Sequence, residues 1–301
     1  MAEFTPGTRI GLTGGGHAEI VKTIAWVVML IFVSAFVYSQ NDPSSENAWA
    51  LYTRGDMYLD NGEWDNAIAD FTQALKVLPG AGPYFKRGFA YNEKREYDKA
   101  IADLTQAINL APDIPNAYAL RGQAYLNKRD YDKAISDYTQ AIKIDPNYTS
   151  CYNERGLAYS MKQDYAKAIS DYTQAIRLDP NYADAYLNRG NAYTFGTREY
   201  DRAIADYSAT LKLIPNDTYA LRGRGNAYID KGEYDRAIAD FTAALKINPN
   251  YTNALNERGI AYNSKGDLNR AISDFEAVLR IDPTDANAKK NLELVRKQRG
   301  Y

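Results

Sequence analysis

Pro115 to Tyr148 reads PNAYALRGQAYLNKRDYDKAISDYTQAIKIDPNY. Counting from Gly122, Tyr125 stands three residues on, Ala134 twelve, Tyr138 sixteen, Ala141 nineteen and Pro146 twenty-four. Tyr118, Gly122 and Tyr125 share one helical face at i, i+4 and i+7, and Ala134, Tyr138 and Ala141 share another. Lys128-Arg129-Asp130 supplies a turn between the two faces, and Asp145-Pro146-Asn147 ends the second, since proline cannot continue a helix. The stretch therefore reads as two amphipathic helices of roughly 12–14 residues each. Glycine and alanine let the two backbones approach, and tyrosines fill the space beside them.

The glycine recurs as Gly55, Gly88, Gly122, Gly156, Gly190, Gly225 and Gly259, at spacings of 33, 34, 34, 34, 35 and 34 residues. A fixed period of this length marks a solenoid. One helix pair is too small to bury its apolar face, so neighbouring pairs must supply the common core. On these residues the chain resembles the tetratricopeptide-repeat (TPR) family, whose pattern is L-G-x2-Y, A-x3-F and P at this period. The resemblance covers Ala48 to Pro283 in seven units. It implies an all-α, right-handed superhelical solenoid of seven helix-turn-helix units over 48–283, followed by a capping helix in 284–301. In that tail Ala288, Leu292 and Val295 fall at helical spacing, and Lys289, Lys290, Arg296, Lys297 and Arg299 make it basic.

The departures from the family pattern are regular. Where the family has Leu before the glycine, this chain has Arg54, Arg87, Arg121, Arg155, Arg189, Arg224 and Arg258. Fifteen residues after each glycine, or sixteen in the repeat with the insertion, stands an aspartate: Asp70, Asp103, Asp137, Asp171, Asp206, Asp240 and Asp274. Both positions flank the packed faces, and buried charge must be paired, so a ladder of Arg–Asp pairs is expected along the seam. The other reading of seven arginines is an anion site. The register slips at Leu78-Pro79-Gly80-Ala81-Gly82-Pro83, a deletion, and around Thr194-Phe195-Gly196-Thr197, an insertion expected to lengthen the turn inside repeat five.

Residues 1–19 read as a flexible polar tail. Gly14-Gly15-Gly16 lacks the Lys and Ser/Thr of a phosphate loop. Ile24 to Tyr38 carries no charge. Residues 20–39 read as a transmembrane anchor or a signal peptide, long for the second and short for the first. Residues 40–47 read as a linker. Arg9 and Lys22 precede the apolar segment and Asp42 and Glu46 follow it, which puts the repeats on the extracytoplasmic side, membrane-anchored or exported after cleavage.

The inventory for catalysis is thin. The single histidine, His17, lies in the leader, and the single cysteine, Cys151, stands where Ala50, Ala117, Ala185, Ala220 and Ala254 stand in other units. It reads as a small apolar filler, and Cys/His zinc sites are excluded by count. No cofactor, metal or small-molecule substrate is expected. A net charge of −2 argues against nucleic acid as a partner. The 26 tyrosines follow the repeat and read as packing residues.

In TPR proteins, the resemblance implies, first helices line a concave groove that grips a peptide or a partner helix. Projected here, that groove carries Tyr52, Asp56, Phe85, Phe89, Gln123, Asn153, Leu157, Asn188, Asn191, Arg222, Asn226, Asn256 and Ile260. Its cations, Lys86 and Arg222, are far apart in sequence, which disfavours a clamp for a peptide carboxylate. Its asparagines cluster in repeats four to seven, where an amide can both donate to and accept from a backbone. The expected function is a non-catalytic protein–protein interaction scaffold binding a protein or peptide. The alternative is a structural, self-associating spacer of an envelope assembly without a groove ligand.

Overall fold

The structure, a computed structural model, describes residues 43–300. The expected tail, the apolar segment 20–39 and His17 lie outside the described residues. Fifteen α-helices follow one another with no strand among the described residues: α1 (Pro43–Asp60), α2 (Trp64–Val77), α3 (Ala81–Glu93), α4 (Tyr97–Leu110), α5 (Pro115–Asn127), α6 (Tyr131–Ile144), α7 (Thr149–Met161), α8 (Tyr165–Leu178), α9 (Ala183–Asn191), α10 (Tyr200–Leu213), α11 (Thr218–Asp230), α12 (Tyr234–Ile247), α13 (Thr252–Ser264), α14 (Leu268–Ile281) and α15 (Ala286–Gln298). Residues 43–47, read as linker from the sequence, belong to α1, with Pro43 at its first position, where a missing N–H costs nothing.

Two compact units divide the chain, up to Lys162 and from Gln163. In the first, three helix pairs and α7 pack in succession, each helix on the next. In the second, α8 packs on α9, three pairs follow, and α15 lays Ala288, Leu292 and Val295 against the last. Asp130, Asp164 and Asp267 cap second helices by accepting from the backbone N–H three residues on.

The origin glycines sit flat against the large side chain sixteen residues later. A Cβ on Gly55 would lie 2.7 Å from Phe71, and one on Gly225 2.6 Å from Phe241. On Gly122 it would meet the Tyr138 ring at 3.0 Å, and on Gly88 Leu104 at 2.9 Å. What faces the glycine is thus a ring or a leucine, not the alanine that the sequence pattern suggested. The alanines, such as Ala134 and Ala141, are fully buried around the same side chains.

The arginines before the glycines form the expected ladder. Arg54, Arg87, Arg121, Arg189, Arg224 and Arg258 each donate Nε and Nη2 to the two oxygens of their aspartate, Asp70, Asp103, Asp137, Asp206, Asp240 and Asp274. For Arg121 both distances are 2.8 Å. The third nitrogen, Nη1, reaches a hydroxyl in the preceding repeat. Arg87 donates to Thr72 at 3.0 Å, Arg121 to Thr105, Arg155 to Thr139, Arg189 to Thr173, Arg224 to Ser208 and Arg258 to Thr242. One guanidinium therefore closes its own helix pair and ties it to the previous one. A planar fork does this where a lysine could not. Arg54 has no pair before it among the described residues and is more than half exposed. At the other end Glu276 replaces the threonine and accepts from Arg296 of α15 at 2.8 Å. Outer lysine–aspartate pairs, such as Lys94–Asp65 and Lys231–Asp201, also bridge adjacent repeats but are exposed and weak.

The insertion in repeat five does not lengthen a loop. Ala192–Thr197 continues α9 as a π-helical turn, and Arg198 closes it in the left-handed conformation. A π-turn absorbs an extra residue within the helix, so the following helix starts in register. Phe195, on this turn, is half exposed.

Two predictions follow from the packing. Gly225→Ala pushes a methyl into Phe241 and should lower stability by about 1–3 kcal/mol, read from urea unfolding. Arg121→Leu and Asp137→Ala should each cost about 3 kcal/mol, because each leaves an unpaired buried charge. The double variant should then lose at least about 1 kcal/mol less than the sum, and strict additivity would exclude the pair as a stabilising unit.

Candidate functional site

In each unit the first helices lie side by side, and the positions one residue after each glycine form a half-buried row on their common face: Asp56, Phe89, Gln123 and Leu157 in the first unit, Asn191, Asn226 and Ile260 in the second. Positions three before the glycine behave differently. Tyr52, Phe85 and Asn153 at that position are buried. Tyr52 packs edge-on against Trp49 at 5.7 Å and beside Phe71, and Phe85 belongs to the Leu104 and Ile108 core. Phe89 meets Trp64 edge-on at 6.1 Å. Leu157 packs with the Tyr138 cluster and Ile260 with the Phe275 cluster.

The polar side chains on and beside the row are tied to neighbouring side chains, most of them in the adjacent repeat. Lys86 Nζ lies 2.9 Å from Asp56 Oδ1, although off the axis of a good hydrogen bond. Burial pushes the Asp56 carboxyl up from the usual range, against the pull of Lys86. Asn92 Nδ2 donates to Gln123 Oε1 at 2.9 Å, and Asn153 Nδ2 to Glu154 Oε1 at 3.2 Å. In the second unit Arg222 donates to Glu257 at 2.9 Å and Asn226 Nδ2 to Glu257 Oε1 at 3.1 Å. Burial raises the Glu257 carboxyl, and its two donors hold it down. Asn191 Oδ1 accepts from Tyr207 Oη at 2.8 Å, and Asn256 Oδ1 accepts from Asn291 Nδ2 at 3.1 Å. Asn188 is half-buried and engaged as well.

Both cations of the row are thus neutralised within the fold, and Asn191, Asn226 and Asn256 each hold a neighbouring side chain. The cross-links recur at 31 and 35 residues, one period less or more a few residues, and this spacing is the signal in the sequence that could have announced them. Sequence reasoning missed Asn92, Glu154 and Glu257, which complete these links.

Among the described residues no three metal-binding side chains converge. Cys151 is buried in the cluster around Tyr138, and burial pushes its thiol well above the usual range. Cys151 should therefore react with a thiol reagent only on unfolding, with no measurable labelling of the native chain on the timescale that completes labelling in urea.

Models described as tetratricopeptide repeat match residues 48–81, 115–148, 137–170, 183–217 and 222–286, and one described as TPR repeat matches 88–129 and 161–194. No curated protein matches the chain. Among solved structures, the C-terminal part of a TPR repeat-containing protein from Cytophaga hutchinsonii is similar over 80% of this chain and 99% of its own, at 21% identity and a TM-score of 0.66. PilF of Pseudomonas aeruginosa is similar over 70% of this chain and 95% of its own, at 16% identity and a TM-score of 0.61. YrrB, described as a TPR protein with an unusual peptide-binding site, is similar over 63% and 97%, at 20% identity and a TM-score of 0.55. At these identities the likeness is one of fold. The chain belongs to the tetratricopeptide repeat family, whose members serve as protein-interaction scaffolds.

Proposed function

We propose that this chain is a non-catalytic scaffold that holds a peptide or partner protein against the first-helix face of its repeats. The observation that carries the reading is the half-buried row on each unit, Asp56, Phe89, Gln123 and Leu157 in the first and Asn191, Asn226 and Ile260 in the second. It mixes aromatic, aliphatic and neutral amide groups, with its charges paired and no convergent reactive chemistry. Such a surface suits a polypeptide better than a phosphate or a carboxylate, because Lys86 and Arg222 already face Asp56 and Glu257.

The working location in this proposal is the extracytoplasmic side, tethered or exported through residues 20–39. Two things support it: the uncharged run from Ile24 to Tyr38 with its flanking charges, and a fold shared with PilF and with PilW, the latter described as a type IV pilus biogenesis factor. Among the described residues no helix is long and apolar enough to cross a membrane, and residues 20–39 lie outside them.

Crosslinking in cells followed by mass spectrometry tests the scaffold reading. A partner protein should crosslink through lysines or introduced photoreactive residues at 89, 123 and 157. Crosslinks that join only copies of this chain would instead establish the self-associating spacer. Protease added to intact cells should cut the repeats only after the outer barrier is opened, and protection from it after that step would contradict the proposed side.

A further inference from the structure

Two positions of the first helices are buried in six repeats and open in one. Five residues before the glycine, Pro83, Ala117, Cys151, Ala185, Ala220 and Ala254 are buried, whereas Ala50 of α1 is exposed. Two residues after it, Ala90, Ala124, Ala158, Ala192, Ala227 and Ala261 are 2% exposed or less, whereas repeat one has Met57, 61% exposed. In later repeats these positions pack on the preceding second helix: Ala90 joins Ala67 and Phe71, Ala117 joins Leu104 and Ala107, and Ala220 joins Ala203 and Tyr207. No described second helix precedes α1.

The polar fittings of that face have changed as well. Six residues after the glycine, Lys94, Lys128, Lys162, Lys231 and Lys265 each pair with an aspartate of the preceding second helix, but repeat one has Asn61. The exposed stripe along α1 reads Glu46, Ala50, Thr53, Met57 and Asp60, at the alternating steps of four and three that keep one helical face. Neither Glu46 nor Asp60 is ion-paired among the described residues. Without the lysine and with an acid at each end, the face no longer suits a helix that offers an aspartate. It suits an apolar helix flanked by cations.

The chain carries such a helix itself. Lys290, Leu294 and Lys297 lie at i, i+4 and i+7 on the outer side of α15, and Leu294 is half exposed. Neither lysine is ion-paired among the described residues. Two α1 faces set together would oppose acid to acid in either orientation, and two α15 faces lysine to lysine. Only α1 against α15 brings opposite charges around an apolar centre. We infer that the outer face of α1 receives α15 of a second copy, with Ala50 and Met57 against Leu294 and the two lysines toward Glu46 and Asp60. The contact is heterologous, so each copy keeps one unfilled α1 and one unfilled α15, and association continues into chains. One helix face on each side is small beside a standard interface, which makes the contact weak and dependent on concentration and salt. The half-buried row uses other positions of α1, and the scaffold reading does not depend on this contact.

The test uses two full-length chains in detergent, Met57→Cys and Leu294→Cys, one of them carrying an affinity tag. Cys151 is buried and stays out of the reaction. Under mild oxidation the mixture should give disulfide-linked dimers holding one chain of each kind, several-fold more than either chain gives alone. Raising the salt from about 0.1 M to about 1 M shortens the screening length from about 10 Å to about 3 Å and should cut the yield several-fold. Glu46→Lys with Asp60→Lys on the first chain should abolish the product, and Lys290→Glu with Lys297→Glu on the second should restore it. Absence of a mixed dimer overturns the inference, and so does a mixed dimer indifferent to salt and to both charge reversals. Dimers formed as readily by Met57→Cys alone overturn it in favour of a twofold contact. A native Met57→Cys chain that neither crosslinks nor takes a thiol reagent also overturns it, and gives the face to residues before 43.

Discussion

Absence of a Cβ at one position per repeat governs the packing. With 2.6–3.0 Å between the built Cβ positions and the side chain beneath, nothing larger than a hydrogen fits at Gly55, Gly88, Gly122, Gly190, Gly225 or Gly259. That closeness lets a ring lie flat across the first helix and buries it completely. It also sets the helix–helix distance at which an arginine one residue earlier can reach the aspartate beside the ring. The apolar contact and the ion pair are one construction, because moving either helix outward would break both.

The arginine gives the construction its second dimension. Five donors in a fixed fork allow two to close the pair and a third to reach back to a threonine or serine of the preceding repeat. Arg87, Arg121, Arg189, Arg224 and Arg258 all do this. The ends show what the rule requires. Arg54, with no helix pair before it among the described residues, binds Asp70 but stays more than half exposed, and the last repeat exchanges its threonine for Glu276 to hold the capping helix through Arg296. Stability of such an array depends on contacts between neighbours rather than on any single pair.

Much of this was legible in the residues. The period, the helix pairs and the Arg–Asp ladder follow from fixed spacings that repeat seven times, and a periodic signal averages out local ambiguity. The third arm of the arginine was harder to see, although Thr72, Thr105, Thr139, Thr173, Ser208 and Thr242 stand at a constant offset. A helical wheel describes one helix, whereas this contact joins two repeats. For the same reason the projected groove mixed two kinds of position. The wheel places Tyr52, Phe85 and Asn153 beside the free face, but the fold buries them, Tyr52 against Phe71 and Phe85 in the Leu104 core. Repeat five misled for another reason: an extra residue is normally assigned to a loop, and only the backbone reveals a π-turn at Ala192–Thr197. The polar links Asn226–Glu257 and Arg222–Glu257 explain why an asparagine-rich stretch need not be a binding ladder, since those amides already have work inside the fold.

Residue-resolved hydrogen exchange on the full chain, with and without Asp137→Ala, tests most directly whether the arginine fork couples neighbouring repeats. Losing the Asp137 carboxylate should speed exchange in α5 and α6, and also in α4, whose Thr105 the same arginine holds, with the effect fading in α1 and α2. Faster exchange confined to α5 and α6, with α4 unchanged, would contradict the account.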